Sequence, residues 1–315
     1  MSSKPRIAIT LGDPSGIGPE IVAKAVRDPE VLSLCEPIVI GDPVAFALHN
    51  IALPECEVFS CPGIDRKIPL GEPSEQSGKS ALTALEAGVG LVTTRQAQAL
   101  VTAPVSKESF ALAGAKIPGH TEWLAAKAGV DSVGMLMVAG VLRALLLTRH
   151  IPLSNVSSTL TAEVFEEGAL LAYHFAKEIL QLKHPRLVAC GLNPHAGDKG
   201  LIGNEEKKVM LPAIRALRRQ KIRIQGPLSA DALFADMTNK RYDIALAAYH
   251  DQGMIPLKVF AREKLVNITL GLPYIRTSPG HGTAFDIAGK DKADPQPMIE
   301  AIRLAALYSR PTTRR

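Results

Sequence analysis

The sequence predicts an α/β protein of two domains. Short apolar runs, often β-branched, alternate along the 315 residues with longer segments of helical periodicity. Such alternation is typical of a largely parallel sheet covered by helices. Several strand candidates are continuously apolar, as expected of strands buried on both faces. The length suits two domains of roughly 100–200 residues each.

Nine strands are predicted, at 6–11, 37–40, 99–102, 134–139, 143–148, 186–192, 221–225, 243–248 and 265–270. Seven helices are predicted, at 19–27, 80–94, 121–127, 162–182, 204–220, 230–238 and 296–309. Pro37 should be the first residue of its strand, because proline cannot donate within a sheet, and Pro19 suits a first helical position. Gly78-Lys79-Ser80 indicates a helix start rather than a phosphate loop, since Pro73 stands where such a loop needs glycine. A loop-like stretch at 128–133 is the expected domain boundary.

Composition excludes several classes of protein. Lys plus Arg number 36 against 31 Asp plus Glu, a net charge of +5, with Arg310, Arg314 and Arg315 in the tail. The basic run at 215–223 has no interleaved aromatic residue, so we expect no nucleic-acid partner, while anionic small molecules stay open. The longest apolar run, 134–148, is interrupted by Arg143 and too short to cross a bilayer, so we expect no membrane association.

The four cysteines form no metal or redox spacing. In a chain of this length they are expected to be reduced and mostly buried thiols. The N-terminus runs directly into the first predicted strand without a signal-peptide pattern. These two observations favour a cytoplasmic protein.

Three of the eight histidines share one context. His150, His195 and His250 each follow a predicted apolar strand and stand beside a proline or glycine turn. Because ligands of open α/β sheets bind outside the carboxyl ends of strands, three imidazoles converging there could hold a divalent cation. The alternative is that each caps its own loop. Asp251 beside His250 could orient that imidazole, bind the metal or act as a base.

Other candidates are polar residues at helix starts and loops. His120 and Thr121 open a predicted helix whose N-terminus would favour an anion, or Thr121 is simply its N-cap. The glycine-rich segment around His281 would let the backbone approach a planar ligand, or is an ordinary loop. Three residues late in the chain could together bind a phosphate or carboxylate, although each alone is expected to be exposed: Lys258, Asn267 in a predicted strand, and Arg276 in the loop after it. His49 is assigned to a helix surface or loop.

Glycine-rich residues 12–20 follow a strand and open a helix, but Ile21 replaces the third glycine of the dinucleotide fingerprint GxGxxG. The loop is suited either to close approach by a ligand or to a tight turn, and both interpretations stay open.

Seven motifs in order carry a resemblance that runs from end to end. They are GDPSGIGPE at 12–20, TAPVSKE at 102–108, PGHTE at 118–122, NPHAG at 193–197, GNEE at 203–206, YHDQG at 249–253 and SPGHGTAFDIAG at 278–289. On these motifs the chain resembles the 4-hydroxythreonine-4-phosphate dehydrogenase family, NAD-dependent enzymes of pyridoxal phosphate biosynthesis. The last motif is also similar to the HGSAPDIAGK segment with which isocitrate and isopropylmalate dehydrogenases contact NAD.

The resemblance implies a two-domain, three-layer α/β/α fold of the isocitrate/isopropylmalate dehydrogenase type, with the active site in the interdomain cleft. The larger domain would comprise 1–130 plus 275–315. Residues 131–274 would form the second domain, which carries the metal histidines and the dimer contacts.

The resemblance also implies roles for individual residues. Metal ligands would be His150, His195 and His250, drawn from both chains of a homodimer. Substrate-binding residues would be His120, Thr121, Lys258, Asn267 and Arg276. Catalytic candidates are Asp231, Asp251 and Lys258. Cofactor contacts would come from His281, Gly282, Thr283, Ala284, Asp286 and Ile287.

The implied activity is NAD-dependent, with NADP possible, and uses one divalent ion: zinc, magnesium, cobalt or manganese. It oxidises 4-phosphooxy-L-threonine at its 3-hydroxyl and decarboxylates the product to 3-amino-2-oxopropyl phosphate. Alternatives are the same chemistry on D-threonate or D-erythronate 4-phosphate, which gives dihydroxyacetone phosphate, or oxidation of a cis-dihydrodiol carboxylate. Phosphate acyltransferase has a related fold but needs no histidine triad.

Overall fold

The chain divides into a first unit, Met1–Asp131 with Leu272–Arg315, and a second unit, Ser132–Gly271. The structure is a computed structural model and describes residues 4–65, 67–115 and 119–310. Pro118 of the PGHTE motif and Arg314 and Arg315 of the basic tail lie outside the described residues.

The strands are Arg6–Thr10 (β1), Glu36–Gly41 (β2), Glu57–Ser60 (β3), Ala99–Thr102 (β4), Gly134–Ala139 (β5), Leu142–Leu146 (β6), Leu187–Cys190 (β7), Ile224–Leu228 (β8), Ile244–Ala247 (β9), Leu265–Leu270 (β10) and Ile275–Pro279 (β11). The helices are Gly18–Ala25 (α1), Pro29–Leu34 (α2), Val44–Leu48 (α3), Glu75–Thr93 (α4), Lys107–Leu112 (α5), His120–Ala128 (α6), Val156–Thr159 (α7), Ala162–His174 (α8), Leu211–Arg219 (α9), Ala230–Thr238 (α10), His250–Ala261 (α11) and Gln296–Tyr308 (α12). Wider π turns at Phe175–Ile179 and Glu206–Met210 adjoin α8 and α9.

The sheet of the first unit is fully parallel, in the order β3-β2-β1-β4-β11. Its apolar strands are covered by α4, which contributes Ala81 and Leu85 to a buried cluster with Ile38, Ile40 and Leu100. Burying each such large side chain stabilises the fold by about 1.5–3 kcal/mol. The glycine-rich loop that follows β1 therefore begins at the carboxyl edge of a well-packed sheet.

The sheet of the second unit is mixed, in the order β10-β5-β6-β9-β7-β8. Strands β10, β5 and β6 pair antiparallel, whereas β6, β9, β7 and β8 run parallel to one another. Helices α10 and α11 bury Phe234, Met237, Met254 and Leu257 against it. The carboxyl ends of β6, β9 and β7 consequently lie side by side at one edge.

The predicted alternation is confirmed, since every predicted strand and helix overlaps an observed one. All four cysteines are free and three are buried, also as predicted. Among the described residues, no helix combines the length and the apolar character that crossing a membrane requires.

Several local predictions are wrong. Gly78 lies inside α4, which begins at Glu75 because Ser74 forms a capping box with Ser77. Strand β8 starts later than predicted, and β2 starts one residue before Pro37. The strands β3 and β11 were not expected, because their sequences EVFS and IRTSP are largely polar or short. Five helices were also missed: α2, α3, α5, α7 and α11.

The two glycines Gly78 and Gly90 of α4 predict opposite effects of alanine. A Cβ at Gly78 would lie 1.9 Å from the Ser109 carbonyl oxygen, whereas nothing lies within 4 Å of one at Gly90. Gly78→Ala should lower the free energy of unfolding by about 1–3 kcal/mol through overpacking. Gly90→Ala should raise it by about 0.5–1 kcal/mol through helix propensity. Urea denaturation of both variants measures this, and equal effects would contradict the packing.

Candidate active site

Three adjacent parallel strands each lead to one of the predicted metal-binding histidines. His150 follows β6, His250 follows β9 and His195 follows β7, and β9 lies between the other two strands. The imidazole centroids of His150 and His250 are 5.6 Å apart. The sheet thus delivers the three histidines to the same edge, as their sequence context predicted.

A complete site of three imidazoles was not expected within one chain, because the family resemblance draws the ligands from both chains of a homodimer. Among the residues that the structure describes, no group of three or more His, Cys, Asp or Glu side chains is arranged to hold a metal ion. His150 and His250 meet, but His195 stands on a separate turn. Ligands drawn from two chains, which the family resemblance implies, stay a prediction.

The chemistry of His250 fits a metal ligand. It is the first residue of α11, and its Nδ1 lies 2.7 Å from Asp251 Oδ1. A carboxylate that accepts from one ring nitrogen fixes the tautomer and leaves Nε2 as the free donor atom for a metal. The paired imidazoles of His150 and His250 are suitable ligands for zinc and similar divalent ions.

His195 begins a left-handed turn. All five residues from His195 to Lys199 have positive φ, between 41° and 79°. Only one of them is glycine, and this conformation costs roughly 1–2 kcal/mol for each other residue. Such strain persists only where the surroundings determine the backbone, and it is concentrated at functional sites.

Two carboxylates hold the start of this turn. Glu206, which is buried, accepts from the Asn193 backbone N–H at 2.7 Å and from its side-chain amide at 3.0 Å. Glu205 accepts from Ser157 at 2.6 Å and from the Asn193 amide at 2.8 Å. These hydrogen bonds, with Ser157 the larger contributor, lower the pKa of Glu205 to about 2. Glu205 is therefore an ionised acceptor at neutral pH.

The three catalytic candidates differ in their surroundings. Asp231 in the first turn of α10 accepts from Ser229 Oγ at 2.5 Å, which lowers the pKa of its carboxyl group; the charge of His195 contributes least. Asp251 and Lys258 are exposed and seven residues apart on α11, which places them on the same helical face. The unexpected helix α11 thus connects a metal candidate to two catalytic candidates.

Arg276 lies where an exposed loop residue was predicted, and that prediction is wrong. It sits in β11 and is only 1% exposed. Its Nη2 donates to Thr102 Oγ1 at 2.6 Å and lies 3.3 Å from His120 Nδ1. Burial lowers the pKa of Arg276 to about 10, so the guanidinium stays charged at neutral pH. A buried cation of this kind is a strong anion-binding group.

His120 is held neutral beside Arg276. Burial and, second, the Arg276 charge lower its pKa well below the ordinary value. With Nδ1 facing a donor, the proton belongs on Nε2, a buried atom without a hydrogen-bond partner among the described residues. This N–H can donate to an anionic ligand. Thr102, which sequence reasoning did not single out, completes the set as the last residue of β4.

The remaining substrate candidates differ in their burial. His120 opens α6 and Gly119 is its N-cap residue, so the alternative that Thr121 is the N-cap is wrong; Thr121 is buried in the first turn. Asn267 lies in β10, as predicted, and its buried Oδ1 has no hydrogen-bond partner within the described ranges. Lys258 is exposed, as predicted.

The predicted cofactor segment is anchored by the glycine-rich loop. Ile17 donates its backbone N–H to the Thr283 carbonyl at 2.9 Å, and a Cβ at Gly16 would lie 2.8 Å from the same oxygen. None of the residues 281–287 is buried, so a planar ligand could reach their backbone. His49, assigned above to a helix surface or loop, directly follows α3 but is buried, and its Nε2 lies 2.9 Å from the Pro14 carbonyl oxygen.

The fold and these groups define a class of protein. An isocitrate dehydrogenase from Methylococcus capsulatus has the same fold, with a TM-score of 0.50 at 15% identity over 94% of this chain and 83% of that one. This likeness concerns the fold alone and confirms the predicted α/β architecture of the isocitrate/isopropylmalate dehydrogenase type.

The chain belongs to the PdxA family. The family model described as "Pyridoxal phosphate biosynthetic protein PdxA" matches residues 33–305. A 4-hydroxythreonine-4-phosphate dehydrogenase from Zymomonas mobilis is 42% identical over 95% of this chain and 94% of its own length. A D-threonate 4-phosphate dehydrogenase from Cupriavidus necator is 40% identical over 96% of both. The crystal structure of a 4-hydroxythreonine-4-phosphate dehydrogenase from Klebsiella pneumoniae gives a TM-score of 0.90 at 34% identity, covering 98% of this chain and 99% of that one.

The environment of His120 predicts its titration. Because its folded pKa is depressed, it should stay neutral, with Nε2 protonated, at pH 6, where a free histidine is mostly charged. The stability it contributes is therefore present above about pH 6.5 and is lost as the pH falls below that value. NMR titration of the imidazole measures this. Arg276→Met should raise the pKa and Arg6→Met should not; an ordinary pKa in the unaltered protein would contradict the assignment.

Proposed function

We propose that the chain is an NAD-dependent dehydrogenase that oxidises 4-phosphooxy-L-threonine at its 3-hydroxyl and then decarboxylates the product to 3-amino-2-oxopropyl phosphate. The observation that carries the proposal is the position of His150, His250 and His195 after three adjacent parallel strands. The names of the relatives supply the substrate class, a phosphorylated hydroxy acid.

A second candidate is oxidation of D-threonate or D-erythronate 4-phosphate to dihydroxyacetone phosphate. It is favoured by the Cupriavidus relative, whose identity to this chain is nearly that of the Zymomonas relative. Both substrates carry a carboxylate and a phosphate, and the buried Arg276 with His120 suits either. A cis-dihydrodiol carboxylate also offers an anion to this site, so the phosphorylated substrates are favoured by the names of the relatives. Acyl transfer leaves the histidines without a role.

We assign the metal to His150, His195 and His250, and NAD or NADP to His281, Gly282, Thr283, Ala284, Asp286 and Ile287. When bound, a divalent ion lowers the pKa of a coordinated hydroxyl group and polarises a carbonyl, and the nicotinamide accepts hydride. Zinc, magnesium, cobalt and manganese are all compatible with imidazole and oxygen ligands.

The chain's own residues bind the substrate and handle the proton. Arg276 Nη2 and His120 Nε2 donate to anionic oxygens, with Thr121, Lys258 and Asn267 as the further substrate contacts. Asp251 Oδ1, already an acceptor from His250 Nδ1, orients that imidazole. This leaves Asp231 and Lys258 to exchange the proton of the hydroxyl group; the lowered pKa of Asp231 keeps it an acceptor at neutral pH.

We further propose a homodimer in which the metal site is shared between subunits. The second unit exposes large apolar side chains near its histidines: Leu153 at 71%, Leu201 at 84%, Ile255 at 61% and Val259 at 83%. Ile255 and Val259 lie on the exposed side of α11 together with Asp251 and Lys258. An apolar surface of this kind is typical of a protein interface.

His195→Ala tests the reaction. We expect metal-dependent NADH formation to fall more than about a hundredfold in kcat/KM, because loss of a ligand exceeds the 10–100-fold effect of its supporting residues. His174→Ala, on the exposed end of α8, is the control and should be unchanged. Assays on the three phosphorylated substrates, with and without chelator, identify the preferred one. Full activity of His195→Ala in the absence of metal would contradict the metal assignment.

Val259→Asp tests the dimer. A charge placed in an apolar interface should weaken association at least about tenfold, which corresponds to 1.4 kcal/mol. Leu53→Asp, at an apolar side chain that is 54% exposed in the first unit, should leave it intact. Analytical ultracentrifugation over a concentration series reads both out. A monomeric unaltered protein, or a Val259→Asp dimer of undiminished affinity, would refute the shared site.

A further inference from the structure

The side-chain amide of Gln252 forms hydrogen bonds with backbone groups just beyond the ends of β7 and β9. Gln252, in the first turn of α11, accepts from the Ala248 N–H at 2.7 Å through Oε1. Through Nε2 it donates to the Gly191 carbonyl, also at 2.7 Å. Ala248 follows β9 and leads to His250, and Gly191 follows β7 and leads to His195. Both backbone groups lie where the strand pairing between β7 and β9 has ended.

Gly191 is also the residue against which the left-handed turn folds. A Cβ at Gly191 would lie 2.6 Å from Ala196 Cα, so the turn packs directly on this peptide. Its N–H donates to the Leu228 carbonyl at 2.8 Å, and its carbonyl accepts from Gln252. The peptide is thus fixed from both sides. Asn193 lies between Gly191 and His195. It donates to Glu205 and Glu206, which follow the turn in the sequence.

We infer that Gln252 is a positioning residue of the proposed metal site, holding the segment of His250 against the strained segment of His195. The inference rests on the proposed function for the role of the two histidines. The tether, meaning the two hydrogen bonds of Gln252 to Ala248 and Gly191, is observed in this chain and does not depend on that function. An amide suits this role because it carries one acceptor and one donor on the same planar group. Glutamate has the same shape and keeps the acceptor, but it places an oxygen against the Gly191 carbonyl.

Gln252→Glu therefore tests the role with little change in volume. Gln225→Glu is the matched control: Gln225 is an exposed amide of the same unit, and its Oε1 accepts from Tyr242 at 3.0 Å. Zinc titration by calorimetry should show dissociation about 10–100-fold weaker for Gln252→Glu and unchanged for the control. Hydrogen–deuterium exchange on the metal-free proteins should be faster at 191–200 and unchanged throughout the first unit.

Each result decides the matter. Zinc affinity and exchange both within about twofold of the unaltered protein would overturn the inference, as would faster exchange throughout the chain, which indicates general destabilisation. If the unaltered protein binds no zinc, the proposed function fails. The exchange at 191–200 then still shows whether Gln252 holds the turn.

Discussion

The parallel pairing of β6, β9 and β7 is the constraint on which the candidate site depends. Parallel strands in register end at the same edge, so the segments that follow them start from neighbouring positions. Each of these ends carries a histidine. A loop histidine elsewhere would need its own support, whereas here the buried apolar strands supply it. The fold stability of the second unit and the position of the histidines therefore have the same origin.

The strained turn at His195 needs support beyond that which the sheet provides. Left-handed backbone at four non-glycine residues is unfavourable. It is balanced by the hydrogen bonds that Asn193 donates to Glu205 and Glu206, and by the tether from Gln252. Hydrogen bonds to charged groups contribute about 1.5–3 kcal/mol each, enough to offset strain of this size. In the first unit, burying the charged Arg276 is also costly. Its guanidinium donates to Thr102 and lies beside His120.

Much of the fold and the positions of the three histidines could be predicted from the sequence, because buried parallel strands appear as continuous apolar runs. The histidines after 143–148, 186–192 and 243–248 could be located for that reason, and the family motifs supplied the proposed substrate residues. Arg276 was misplaced because its strand, IRTSP, has no apolar run, and a charged side chain is seldom fully buried. Helix α11 was missed because Gly253 and Pro256 lie inside it. The left-handed turn has one glycine among five residues, so no residue type predicted it.

X-ray absorption spectroscopy of the zinc-loaded protein tests the central claim most directly, because it counts the nitrogen ligands without reference to the reaction. The account predicts one zinc per chain, with three imidazole nitrogens at about 2.0–2.1 Å and oxygen in the remaining position. A first shell of oxygen or sulfur without imidazole, or failure to bind zinc, would contradict the assignment of His150, His195 and His250.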